Sequence, residues 1–167
     1  MVTKFNGLPT HVLLVHVVVV MVPLAALLAV LSALWPKARL RLGLLTPLAA
    51  LVAVAFVPVT TNAGEWLQEH VENTELVRRH VHMGDGLLVW AGLLFVLSAA
   101  LWAIDVAAAR HWSLPAAVVT RTTRVALSAV LCAVAVVAVV QVYRIGDSGA
   151  RAAWDNRLSS VDSQGPD

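Results

Sequence analysis

Apolar residues run almost unbroken through four stretches, Val12 to Trp35, Leu42 to Val59, Gly86 to Ile104 and Val125 to Val142, and polar residues collect between them. At a rise of about 1.5 Å per residue, a helix over even the shortest stretch covers close to the hydrocarbon thickness of a bilayer. The pattern predicts an all-α integral membrane protein: a four-transmembrane-helix bundle with a short helical outer loop and a short interfacial C-terminal helix. The first stretch exceeds the roughly 7 to 15 residues of a signal-peptide core and has no small-residue cleavage site after it, so it reads as a retained span. Pro23 in its middle frees the carbonyl of Val19, which neighbouring helices tolerate inside a membrane.

The connections predict further elements. In the loop from Thr60 to Asp85, Asn62 and Glu65 have capping-box spacing and predict a short helix through Trp66 and Leu67. Asn73 is the expected cap of a second helix carrying Glu75 in its first turn, continuous with the third span because Gly84 and Gly86 only weaken it. After the fourth span, Gly146 reads as a helix stop and Asp147 and Ser148 as caps for a segment ending near Leu158. Residues 1–158 thus form one domain, and 159–167 read as a disordered tail.

Lys37, Arg39 and Arg41 crowd the turn between the first two spans, and Arg110, Arg121 and Arg124 occupy the last connection. The positive-inside rule makes these cytoplasmic and both termini extracytoplasmic. The other side also carries bases, spread over two tails and a longer loop, together with every acid except Asp105.

Composition agrees with a lipid solvent. Hydrophobic residues make up 59% of the 167 residues and charged residues 13%, and mean hydropathy is +0.80, against about a quarter charged in a soluble domain. A net charge of +2 with scattered bases argues against nucleic acid as a partner. Cys132 is the single cysteine, which excludes an internal disulfide, a CxxC redox pair and covalent haem attachment. The spans hold no carboxylate pair and no polar stripe, so a pump or channel is not indicated.

The histidines carry the candidate chemistry. Five of the six (His11, His16, His70, His80, His82) fall on the predicted outer half, and His111 on the inner connection. His16 is the ionisable side chain well inside an apolar run, a default functional candidate whose alternative is an interhelical hydrogen bond. His80 joins Leu76, Met83, Leu87, Trp90 and Leu94 in one helical stripe, which turns it into the bundle. His82 falls with Arg78 and Arg79 on the polar flank, and His70 reads as solvated surface. His11 converges with His16 only if the chain is non-helical there.

Four segments together resemble a known family: Gly7-Leu8-Pro9-Thr10-His11 with His16, Ala63-Gly64-Glu65-Trp66-Leu67, His80 four residues before Gly84, and Arg144-Ile145-Gly146-Asp147-Ser148-Gly149-Ala150-Arg151. The chain resembles, over nearly its whole length, the bacterial membrane proteins of domain of unknown function 2231. It departs from their pattern at Val12, where a proline commonly follows the first histidine. The resemblance implies four spans and residence in the bacterial cytoplasmic membrane, supplies no activity, and marks His11, His16, Gly64, Glu65 and His80 as site residues.

The leading expectation is a cofactor pocket between His16 and His80, for a non-covalent b-type haem serving membrane electron transfer, with Arg78 or Arg79 reaching its propionates. Two alternatives stand beside it. One is a non-catalytic helper packing against a respiratory or transport complex through small residues such as Ala25, Ala29, Ala126 and Ala133. The other is copper or zinc handling by His11, His16, His80 and His82, with His16 and His80 as the central metal ligands.

Overall fold

The computed structural model describes residues 4–5, 8–72, 74–112, 115 and 120–162, and side chains within 9–154 of these. A two-residue antiparallel pairing of Lys4–Phe5 with Leu8–Pro9 precedes the first helix. The helices are α1 (Thr10–Leu34), α2 (Pro36–Leu42), α3 (Leu45–Gln68), α4 (Glu75–Asp85), α5 (Leu87–Ala109) and α6 (Arg121–Asp162). Four helical stretches are long and apolar enough to cross a membrane: α1, α3, α4 with α5, and α6.

The spans run up and down in a ring. Helix α1 packs on α3, α3 on α5, α5 on α6 and α6 back on α1, with α1 and α5 touching across the diagonal. The start of α1 and the C-terminal part of α6 therefore lie at one end, the terminal end, and α2 lies at the other, the hairpin end. Alanines line the axis: Ala25, Ala29, Ala53, Ala91 and Ala138 are fully buried. Residues this small let backbones approach closely, which drives helix association where lipid removes the hydrophobic incentive. Larger apolar residues point outward, among them Val20, Val96 and Val136, each more than half exposed. Only lipid or another apolar protein surface satisfies such a perimeter.

Between α2 and α3 the chain turns at Gly43, whose φ of 46° lies in the left-handed region and whose N–H donates to Arg39 O at 2.9 Å. This is a glycine-terminated helix end. The connection read as a tight turn is thus itself a short helix with Pro36 at its start.

Three local expectations are corrected. Asn62 caps nothing: α3 runs through it to Gln68, with the Thr60 and Thr61 hydroxyls donating back to Phe56 O and Pro58 O. The cap of α4 is Thr74, whose hydroxyl accepts from Val77 N; Asn73 lies outside the described residues. Gly146 does not stop α6, because Ser148 bonds Ile145 O and Arg151 pairs with Asp147 inside the helix, while the segment packs on α4. The helix then enters the expected tail as far as Asp162, and residues 163–167 lie outside the described residues. The expected continuity of α4 and α5 is present: Gly86 between them keeps helical angles, φ −69° and ψ −17°.

Candidate functional site: a histidine pair at the terminal end

Four helices converge on two imidazoles. His11 belongs to the first turn of α1 and His80 to α4, and their rings meet edge to face with centroids 6.3 Å apart and planes at 83°. Both are half-buried.

Each ring is held from behind. His11 Nδ1 lies 2.9 Å from Thr60 O; a carbonyl only accepts, so Nδ1 carries a proton, and in the neutral ring Nε2 keeps its lone pair. Ser148 Oγ donates to Ile145 O at 2.8 Å, which leaves it to accept from His80 Nδ1 at 3.0 Å. The same tautomer follows for His80. Burial, and next the neighbouring His11, push the His80 pKa below its ordinary 6.5, partly opposed by the Ile145 carbonyl. At neutral pH His80 is uncharged.

Two glycines make room for the rings. A Cβ on Gly64 of α3 would lie 3.0 Å from both Cε1 and Nδ1 of His11, and a Cβ on Gly149 of α6 would lie 2.8 Å from Cε1 of His80, 3.2 Å from Nδ1 and 3.4 Å from Nε2. Backbone thus covers one flank of each imidazole.

Other residues singled out in the sequence lie elsewhere. His16 does not point into the bundle beside His80: it is exposed, with Nδ1 2.6 Å from Val12 O. Helix α1 is regular from Thr10, so five residues put His16 and His11 on different faces, and His11 is the one that meets His80. His82 is exposed as its position on the polar flank predicts, and Glu65 and Arg79 are exposed too. Arg78 pairs with Glu75 one turn away. His70 stacks on Trp66 at 4.1 Å and bonds its carbonyl. Among the described residues no group of three or more His, Cys, Asp or Glu is placed to share a metal ion.

Thr60, Ser148 and Gly149 are the members the sequence reading missed. The Gly-Asp-Ser-Gly run was visible as a motif, but its partner is 68 positions away, and spacing along one helix cannot report that.

Fold and site define a four-span integral membrane protein with a paired-imidazole site at one end. The family model described as a predicted membrane protein, DUF2231, matches residues 7–162. The chain belongs to that family, whose match contains both histidines and both glycines. Neither a curated protein nor a solved structure matches the chain.

Proposed function

We propose that the protein is a metal-binding protein of a bacterial cytoplasmic membrane, in which His11 and His80 present Nε2 to one transition-metal centre at the extracytoplasmic face. The observation that carries this reading is that both imidazoles have Nδ1–H tied to an oxygen acceptor. Metal-ligating histidines are oriented in this way by a second hydrogen bond on the far nitrogen. Imidazole suits zinc, copper, iron and nickel, and ions of this kind sit about 2.0–2.1 Å from a ring nitrogen. Water or a partner molecule completes the coordination.

The same chemistry has two sources, a free ion or haem iron. The backbones of Gly64 and Gly149 against the ring flanks favour a compact ion, since a macrocycle around His80 Nε2 needs the space beside Gly149. A haem held by His16 and His80 would require His16 to leave its exposed face. Apo-protein in detergent, titrated with Zn²⁺ or Cu²⁺ in a calorimeter, is expected to bind about one equivalent per chain; His11→Ala and His80→Ala lose it, and His16→Ala and His82→Ala keep it. A Soret band that depends on His80 assigns haem instead. Neither metal nor haem binding, or binding indifferent to His80, overturns the reading.

One observation favours a second role as a partner subunit. Ionisable residues inside membranes almost always face protein or water, yet His16 is exposed on the same flank as Val12, Val19 and Val20. A second protein covering that flank accounts for it. Under this reading His16→Leu shortens the lifetime of a native complex on a non-denaturing gel, while a wild-type chain that migrates alone in mild detergent counts against it.

A further inference from the structure

The hairpin end carries an unrelated set of groups. Arg39 of α2 and Arg124 of α6 share one carboxylate, Asp105 of α5: Arg39 Nε lies 2.9 Å from one oxygen and Arg124 Nη1 2.6 Å from the other. Two cations on one anion leave the cluster at +1. Beside it lies a partly open cavity of about 210 Å³, lined by Arg39, Asp105, Trp102 and the hydroxyls of Ser32, Thr46 and Ser98. Those three hydroxyl residues are buried, and Ser32 and Thr46 bond each other at 3.0 Å.

Arg39 Nε is the unusual atom. It is within ion-pair distance of Asp105, yet it is buried and its N–H is aligned with no acceptor. The distance establishes attraction, and the misalignment establishes that a donor remains unused. A buried donor left unaligned is costly, so the site has room for a further acceptor.

The charge balance at this end favours an anionic acceptor. Asp105 is the sole acid at this end, against Lys37, Arg39, Arg41, Arg110, Arg121 and Arg124. The rest of the cavity wall is apolar, with Leu40, Leu101 and Val106, and Leu40 is 76% exposed. We propose that this cavity binds the phosphate of an anionic phospholipid, with Arg39 as its principal donor, Arg124 supplying the balancing charge and the apolar wall receiving the upper acyl chain. Basic pockets between spanning helices suit such headgroups, and the planar guanidinium suits phosphate oxygens.

The test compares the full chain in phosphatidylcholine nanodiscs with and without phosphatidylglycerol, reading bound lipid by native mass spectrometry and thermal midpoint. Wild type is expected to retain phosphatidylglycerol in preference to phosphatidylcholine. Loss of one cation in Arg39→Gln weakens that retention by about fivefold, Arg39→Lys weakens it less, and Lys37→Gln, an exposed base at the same end, leaves it unchanged. Asp105→Asn separates the proposal from a purely structural tether. Removing the internal counter-ion tightens phosphatidylglycerol binding, and the variant's lowered midpoint recovers only in phosphatidylglycerol discs. Equal loss of stability in both lipids, unchanged retention across the arginine variants, or an equal effect of Lys37→Gln overturns the proposal. So does displacement of the lipid by millimolar inorganic phosphate, which assigns the cavity to the free anion.

Discussion

A Cβ at position 149 would stand 2.8 Å from His80 Cε1, and the ring cannot retreat freely because Ser148 Oγ holds its Nδ1. Gly149→Ala is therefore expected to break the His80–Ser148 bond. A side-chain hydrogen bond is worth about 1 kcal/mol net, largely offset by the better helix propensity of alanine, also about 1 kcal/mol. The stability change is thus small, while the metal binding proposed for the pair is expected to be lost. Gly146→Ala is the control: nothing lies within 4 Å of its Cβ position, so it gains propensity and leaves metal binding intact. Equal metal affinity in the two variants, read by the same calorimetric titration, would remove the steric role given to Gly149.

The lowered pKa of His80 sets a pH dependence with a definite sign. Between its ordinary 6.5 and the lower folded value, the unfolded chain holds more proton at this position than the folded one, so stability rises with pH across that window. The stabilisation is complete above 6.5 and is lost as pH falls through the folded value. Thermal midpoints of the wild type should therefore drop more steeply below pH 6.5 than those of His80→Gln; parallel curves would contradict a neutral, half-buried His80.

At this scale the sequence turned His80 into the bundle and paired it with His16, whereas the structure sets it beside His11. His80 was legible because its stripe with Met83, Leu87, Trp90 and Leu94 has the helical period, and Leu87 and Leu94 are indeed buried. His16 drew attention through its depth in an apolar run. Depth says nothing about rotation, and the rotation of α1 is set by Val18, Val22, Ala25 and Ala29, the residues it buries.

Among the elements, α2 and its exit turn bring Arg39 under α5. The turn depends on Gly43, whose φ of 46° and ψ of −122° a residue with a Cβ adopts only under strain. Gly43→Ala is expected to lower stability by about 1–2 kcal/mol, although only Leu40 O, at 4.0 Å, lies within reach of the added Cβ. Gly84→Ala, with an equally open surrounding and helical angles, should instead be neutral or stabilising. Chemical unfolding in detergent distinguishes the two, and a Gly43→Ala protein as stable as Gly84→Ala would show that the turn can relax.

The boundaries between elements were the least legible part. Asn62 and Gly146 both carry local signals for a helix end, worth about 1 kcal/mol each. Both were overridden where the helix gains contacts by continuing, α3 by placing Gly64 against His11 and α6 by placing Gly149 against His80. The four spans were legible because about twenty consecutive apolar residues have few alternatives to a membrane helix.

Across the whole molecule, chemistry is segregated to the two ends of an apolar cylinder: the paired imidazoles at the terminal end, and a cationic cluster around α2. The distribution of bases predicts which end faces the cytoplasm. Six stand at the hairpin end in short connections, where the positive-inside rule counts them fully, whereas the bases of the terminal end lie among nine acids in tails and a longer loop. The positive-inside rule thus predicts that the hairpin end faces the cytoplasm. In a Cys132→Ala background, Glu72→Cys should react with a membrane-impermeant maleimide in intact cells, and Lys37→Cys should react only after permeabilisation. Both positions are exposed, so accessibility to solvent does not separate them; only the membrane does. The reverse labelling pattern would move the histidine pair to the cytoplasm. Two histidines without a thiolate would there compete for metal against cellular thiols, and soft thiolates select copper(I) and zinc. The metal-binding reading therefore depends on the orientation, whereas phosphate binding around Arg39 does not.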